Sequence, residues 1–295
     1  MKKTFLVLFF LNCFFCFSQD WKWWNDKHNW DGITPWTRYL ILSPKYMGPN
    51  ALPVPETKNG LLPDDIKFEL SAEKHFGKGD ITENLYTSLF IPIAKKKAGL
   101  SINIVPYEHY EMDTITRDIR KARDFDGKGT SGGDFYFGTN IQILNETERL
   151  PDIMLSLNMK TASGTNYSGA RFTDSPGYFF DISFGKSYTY IEAFIEHLRL
   201  YAMLGFYAWQ TNRDDFRQND AILYGFGVSA HIQKIIIDYT ISGYKGYINN
   251  GDKPKVYRLM IKTNLNSRIN YKAMFQYGKV DFPYNTIRVG TEIKI

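Results

Sequence analysis

Apolar and polar residues alternate with a period of two over long stretches of this chain. The apolar positions of residues 133–145 are Phe135, Phe137, Thr139, Ile141 and Ile143. The same alternation runs through residues 151–163 and 285–295. Strands of soluble proteins average about five or six residues, whereas a tilted strand that crosses a bilayer needs about nine to eleven. The pattern therefore predicts long strands with one apolar and one polar face, as a membrane-spanning sheet requires.

Twelve such stretches can be recognised, and an even number lets a closed antiparallel barrel return both ends to one side of the membrane. Short turns alternate with longer polar loops between them, which is typical of transmembrane barrels. We expect an all-β fold, a closed antiparallel transmembrane β-barrel over residues 65–295. A soluble sandwich or lipocalin-like barrel is the alternative, which the strand lengths disfavour. The predicted strands are 65–76, 79–93, 98–112, 133–145, 151–163, 177–187, 195–209, 221–233, 235–247, 255–267, 268–280 and 285–295.

Pro106 interrupts the third predicted strand, residues 98–112. Proline has no backbone N–H to donate, so inside a sheet it is confined to edges and bulges. We therefore expect a β-bulge at Pro106, which would exchange the inward and outward faces of the residues that follow.

Residues 1–18 have the order of a secretory signal peptide: two lysines, an apolar run and a cleavage site before Gln19. Its removal takes away Cys13 and Cys16, the chain's two cysteines, and with them any disulfide or cysteine-based metal site. Loss of two lysines lowers the formal net charge from +5 to +3, a surplus too small to suggest nucleic-acid binding. We predict an exported protein with no cofactor.

Residues 19–64 form a separate region that is rich in tryptophan and proline. Five of the six tryptophans and six of the twelve prolines lie in it. Prolines at this spacing exclude a long helix or strand, whereas tryptophans bury large areas. We predict a plug in the lumen, a belt or lid on the barrel itself, or a docking strip for an outer-membrane protein partner. The tryptophans are Trp21, Trp23, Trp24, Trp30 and Trp36.

The predicted barrel resembles the Gram-negative outer-membrane β-barrel proteins. Its size is similar to that of twelve-stranded members such as the nucleoside channels and the outer-membrane phospholipase. The chain ends with Arg288-Val-Gly290-Thr-Glu-Ile293-Lys-Ile295, which resembles the C-terminal signal of these barrels, although the last residue is usually aromatic. The resemblance implies an outer-membrane location, contact with outer-membrane lipid, and recognition of the C-terminal strand by the barrel assembly machinery.

Motifs that would indicate an enzyme are mostly missing. The sequence has no Gly-x-Ser-x-Gly, no His-Glu-x-x-His and no phosphate-binding glycine-rich loop. The phospholipases carry a His-x-Ser pair, whereas Ser229 and His231 stand in the reverse order. Residues 124–134 match a calcium loop only in part, because Lys128 takes a ligand position. A lipid hydrolase that uses His197 or His231 is therefore the last of three hypotheses, and no metal site is predicted.

Charges of opposite sign are separated on the predicted lumen face. The first six strands present mainly acids and the last six mainly bases. Strands far apart in order would face each other across the lumen. Water in that gap would create a field that selects polar solutes, whereas a closed gap would pair the charges into a rigid network. The residues predicted at this constriction are Arg199, Arg258, Lys272, Arg288, Glu69, Asp134 and Asp181.

The other two hypotheses rank above the hydrolase. The preferred one is a passive, porin-like channel for small polar solutes, because the lumen charges are segregated. The second is a closed structural or accessory barrel of a larger outer-membrane assembly, held through residues 20–64. The tryptophan cluster motivates it, since permeation gives those residues no evident role.

Overall fold

The computed structural model describes residues 21–190, 194–265 and 267–295. The chain divides into two compact units, Met1–Thr34 and Pro35–Ile295. The predicted signal peptide, residues 1–18, lies outside the described residues, so it stays a prediction.

The described part of the first unit contains one short helix, α1 (Lys22–His28), with Trp24 as its buried residue. Asn29 ends the helix in the left-handed conformation, which asparagine tolerates better than most residues. Beyond it, the Asp31 carboxylate accepts hydrogen bonds from the backbone N–H groups of Ile33 and Thr34. These local bonds fix the chain just before Pro35.

The second unit is a closed barrel of twelve antiparallel strands, which confirms the predicted fold class and strand number. Each strand pairs with its sequence neighbours, and β1 pairs with β13 to close the cylinder. A thirteenth strand, β4, has four residues and pairs outside the cylinder order with residues 108–111 of β3. The strands are β1 (Lys67–Gly77), β2 (Asp80–Ala94), β3 (Ala98–Met112), β4 (Lys128–Ser131), β5 (Tyr136–Leu144), β6 (Asp152–Lys160), β7 (Gly177–Thr189), β8 (His197–Gln210), β9 (Gln218–Ile232), β10 (Ile235–Gly246), β11 (Pro254–Thr263), β12 (Ile269–Val280) and β13 (Tyr284–Lys294).

The two ends of the barrel differ in their connections. The end reached by residues 113–135, 161–176 and 211–217 is called the loop end, and it carries helix α2 (Thr114–Arg120) and a 3₁₀ turn at Tyr167–Gly169. The opposite end, with residues 95–97 and 233–234, is called the turn end. In outer-membrane barrels the short turns face the periplasm and the long loops face outward.

The outer wall is apolar along most of its height, as the alternation predicts. On β6, Leu157 and Met159 point outward and are 49% and 54% exposed, while Ser156 and Lys160 are buried inside. The same reading holds for Ile287 and Val289 on β13. Such a wall suits acyl chains rather than water. None of the helices in the described part of the chain has the length and apolar character to cross a membrane.

The predicted bulge at Pro106 is confirmed. Leu85 lies opposite Tyr107 and Thr87 opposite Ile104, so Tyr86 faces both Val105 and Pro106. The extra residue reverses the phase of β3. Val105 is buried before the bulge, and Glu108 and Tyr110 are buried after it.

Candidate functional site

The lumen is crossed along its length by residues 41–63, which we call the lumen segment. At the loop end, the Trp209 indole N–H donates to the Leu42 carbonyl at 3.0 Å. Beside Trp209, the Tyr244 hydroxyl donates to the Leu52 carbonyl at 2.8 Å. At the turn end, Arg199 donates to the Asn59 carbonyl at 2.8 Å. The chain therefore enters at the loop end and leaves at the turn end, where β1 begins.

The prolines of the lumen segment explain this mode of binding. Proline prevents a regular helix or sheet ladder. Backbone hydrogen bonds within the segment end at the carbonyls of Ile41, Ser43 and Gly48, which leaves the carbonyl groups of residues 52–60 without backbone partners among the described residues. Side chains of the wall donate to them instead. Arg258 donates to the carbonyls of Val54 and Pro55, and the Gln142 amide donates to the Gly60 carbonyl.

Glycine allows the lumen segment to touch the wall near the turn end. Gly60 has a φ of +81°, and a Cβ atom there would lie 2.8 Å from the Gly185 nitrogen. A Cβ at Gly185 would lie 2.1 Å from the Asn59 carbonyl oxygen. Both positions therefore need glycine, because any side chain would push the two backbones apart.

Two ion pairs join the lumen segment to the wall. Lys58 lies 2.6 Å from the Asp181 carboxylate, and Glu56 lies 2.7 Å from the Arg288 guanidinium. The positive charges of Lys272 and Arg258 also act on the Glu56 carboxylate. The Glu56 side chain is 54% exposed to the lumen, and its pair with Arg288 holds the segment electrostatically.

The seven residues predicted at a constriction are distributed along the barrel, and each has a close partner. Three of them meet on neighbouring strands, with Glu69 2.7 Å from Lys272 and 3.8 Å from Arg288. Arg288 also bonds Glu73 at 2.6 Å. These acids and bases meet because β1 is adjacent to β13 in the closed barrel. These charges therefore pair along the wall between close strands, and not across the lumen as the sequence had led us to expect.

The other four predicted residues lie apart from that group. Asp134 precedes β5 at the loop end and pairs with Lys160 at 2.7 Å. Arg199, near the turn end, pairs with Asp152 at 2.8 Å. The last two, Asp181 and Arg258, hold the lumen segment as described above. A role for these residues in selecting solutes remains a prediction.

The loop end is closed by a compact set of side chains, which we call the loop-end cap. Arg171, fully buried, bonds Asp80 and Glu108, each at 2.8 Å. Burial alone would lower the pKa of Arg171, but Glu108 and Asp80 outweigh it and raise the pKa. The apolar part of the cap consists of Leu40, Leu42, Met47, Ala51, Tyr110, Met112, Ala122 and Ala170.

A cavity of about 540 Å³ remains between the lumen segment and the wall. It reaches from Lys67 at the turn end to Phe172 beneath the loop-end cap. Its lining includes Arg258 and Arg288 as well as Glu56 and Glu73. The buried polar atoms of its lining residues that have no hydrogen-bond partner among the described residues include Thr57 Oγ1 and Asn158 Nδ2.

Trp36 lies in the loop-end cap. Its ring is 5.8 Å from the Tyr167 ring, and the Arg123 guanidinium lies 5.3 Å from it. Trp21, Trp23, Trp24 and Trp30 belong to the first unit, in which the Trp30 indole donates to the Thr34 carbonyl at 2.7 Å. The lumen segment itself contains several prolines and no tryptophan.

The residues considered for hydrolysis face inward. Ser229 is buried, and His231 lies beside His197 with their rings 5.7 Å apart. Across the described ranges, no three His, Cys, Asp or Glu side chains converge as a metal ion would require.

Several residues of the site were not singled out from the sequence. Arg171 lies in a loop, where no periodic pattern marks it. Glu108 follows the bulge, so its inward direction depends on the phase change at Pro106. The bulge is the signal that could have found Glu108 and Tyr110, whereas nothing local distinguishes Arg171 from the other loop arginines.

No protein-family model and no curated protein matches this sequence. Solved structures do match the fold. An outer membrane channel from Pseudomonas putida F1 has a TM-score of 0.60 at 7% identity, covering 82% of this chain and 100% of that chain. The NanC porin has a TM-score of 0.48 at 11% identity, covering 77% and 100%. The KdgM porin in complex with disordered oligogalacturonate has a TM-score of 0.46 at 10% identity, covering 78% and 99%.

At these identities the likeness to the Pseudomonas putida channel concerns the fold alone. The chain has the fold of an outer-membrane β-barrel protein, as the sequence predicted.

Proposed function

We propose that this protein is an outer-membrane channel for small polar solutes, with passage restricted by its own lumen segment. The observation that carries the proposal is the charged cavity that remains beside the segment. Its volume of about 540 Å³ is in the range of small-molecule sites. Arg258, Arg288, Glu56 and Glu73 give it both signs of charge, which favours polar solutes over apolar ones.

Planar-bilayer conductance of the purified protein tests the proposal. We expect small or rare openings for the full mature chain and a larger, steady conductance after residues 20–64 are deleted. The segment occupies the lumen, so its removal widens the water path. A barrel that is silent in both forms would end the channel proposal.

A disulfide tests whether the lumen segment has to move. The Cβ of Thr57 lies 3.1 Å from the position of a Cβ at Gly225, so a small displacement brings a cysteine pair to disulfide distance. We expect oxidised Thr57→Cys/Gly225→Cys protein to conduct less than the wild type, with recovery after reduction. The reduced double variant is the matched control, since it carries the same substitutions. Equal conductance of the two redox forms would show that this part of the segment is not mobile during passage.

A second candidate is the closed accessory barrel, which the loop-end cap favours because the Arg171 and Tyr110 side chains are fully buried there. Its proposed partner would be held through residues 20–34, since the lumen segment is already bound by the wall. Pull-down in mild detergent tests it. A stoichiometric outer-membrane partner should be recovered with the wild type and lost when Trp21, Trp23 and Trp24 become Ala. Recovery of the barrel alone would speak against it.

A further inference from the structure

Two lysines face each other on the outer wall near the loop end. Lys255 of β11 and Lys279 of β12 are direct cross-strand partners. In the same row, Gly243 of β10 lies opposite Lys255, and Tyr224 of β9 lies opposite Gly243. We call these four residues the lysine row. Like charges directly opposite each other destabilise a sheet, so the pair needs an explanation.

Acids of this chain do not supply it. The ion pairs between described residues include none that involves Lys255 or Lys279. A third outward lysine, Lys245, is exposed on β10 two residues beyond Gly243 and likewise has no ion pair there. Three cations therefore crowd one sector of the wall.

The next row toward the middle of the barrel is aromatic. Tyr257 lies opposite Tyr277, and the two lysines lie over these rings at 5.2 and 5.1 Å. The row after that is fully apolar, with Leu259 opposite Phe275. From the loop end inward, the rows are lysine, then tyrosine, then apolar. A bilayer has the same order, with headgroups outermost, then the interface, then the acyl chains. The lysine row thus lies at the level of the lipid headgroups.

Strand β1, which is separated from β12 only by β13, provides an internal contrast. Lys74 of β1 also points outward near the loop end, but it lies 2.5 Å from Glu83 on β2. That sector neutralises its own cation, whereas the lysine row does not.

We infer that the lysine row binds the phosphate group of a phosphorylated lipid in the outer leaflet. A phosphate between Lys255 and Lys279 converts their repulsion into two charge-assisted hydrogen bonds. Because Gly243 has no side chain, the Tyr224 hydroxyl can lie over it, 2.7 Å from the position that a Cβ of residue 243 would take. The inference depends on the proposed membrane location but not on conduction, so a silent barrel would leave it standing.

Native mass spectrometry of the barrel in uncharged detergent tests the inference. The probes are bisphosphorylated lipid A, the same lipid after dephosphorylation, and inorganic phosphate at equal concentration. We expect the wild type to bind lipid A and not the dephosphorylated lipid, with no competition from inorganic phosphate. Each headgroup-level lysine contributes about a fivefold gain in affinity, so Lys255→Gln/Lys279→Gln should bind roughly 25-fold more weakly.

Lys74→Gln is the matched control, because it removes an outward lysine that already has an acid partner, and it should bind as the wild type does. Lys279→Glu is a second variant that forms an ion pair with Lys255. It should unfold at a higher temperature without lipid and lose its response to lipid A. Wild-type lipid A binding by the double variant, or equal binding of the dephosphorylated lipid, would overturn the inference. Full competition by inorganic phosphate would show that the site binds free phosphate and is not specific for a phosphorylated lipid.

Discussion

Arg171 shows at the scale of one residue how the loop end is closed. Its guanidinium bonds Asp80, Thr82 and Glu108, which come from two strands of the wall, and it lies 4.5 Å from the Tyr110 ring. It also sits against the lumen segment, because a Cβ at Gly48 would be 2.7 Å from its Cζ atom. One side chain thus ties a loop, the wall and the segment together.

We expect Arg171→Met to destabilise the barrel by about 3–5 kcal/mol, because the buried carboxylate of Glu108 loses its cation. Urea unfolding in detergent measures the change. Arg213→Met is the control, since Arg213 pairs with Asp215 on the exposed surface and should cost less than about 1 kcal/mol. Equal effects of the two substitutions would contradict this account of the cap.

At the scale of elements, the bulge in β3 decides which face of the strand enters the cap. Before it, Val105 points inward, and after it, Glu108 and Tyr110 do. The Tyr110 hydroxyl accepts from the Asn166 amide at 2.7 Å, which joins β3 to the neighbouring loop. Because the bulge takes up one extra residue, Glu108 and Tyr110 face inward and can join the loop-end network.

Insertion of one alanine after Pro106 should prevent assembly of the barrel. The bulge already holds one extra residue, so a second would reverse the phase of residues 107–112 and turn Glu108 outward. The measurement is the heat-modifiable band of the folded barrel on gels. Deletion of Pro106 is the matched control: Val105 and Tyr107 then alternate regularly, Glu108 still faces inward, and the band should persist. An insertion variant that folds with wild-type stability would show that the phase of β3 is not fixed at the bulge.

At the scale of the whole molecule, the path of the chain has a consequence for sidedness. Arg38 bonds the Asn212 carbonyl and lies 2.8 Å from Asp214, both in residues 211–217 of the loop end. The chain therefore passes from the loop end through the lumen before β1 starts at the turn end. If the loops face outward, Pro35 is at the cell surface although it precedes every strand.

Cysteine labelling of intact cells checks this orientation. The predicted mature chain has no cysteine, so single substitutions can be made at the exposed positions Pro35, Asn249 and Lys95. An impermeant maleimide should label Pro35→Cys and Asn249→Cys in intact cells, and Lys95→Cys only after lysis. If only Lys95→Cys were labelled in intact cells, the turn end and not the loop end would face outward.

Much of the fold could be predicted from the sequence because side-chain alternation is a local property. The third predicted strand, 98–112, agrees with the observed Ala98–Met112. By contrast β4, residues Lys128–Ser131, was predicted as loop, since four small and polar residues have no measurable period. The predicted strand 133–145 corresponds to β5, which begins at Tyr136. The glycine pair at residues 132–133 carries no side-chain pattern from which the start could be predicted.

The sequence by itself determined the twelve strands, the apolar outer face and the inward direction of the seven charged residues predicted in the lumen, because each depends on neighbours along the chain. Only the tertiary structure decided which charges pair. Glu69 and Lys272 are 203 positions apart and meet because the barrel closes between β1 and β13. Likewise, prolines indicated that residues 41–63 form no regular element, but only the closed wall shows that its arginine, glutamine and tyrosine side chains bind their carbonyl groups.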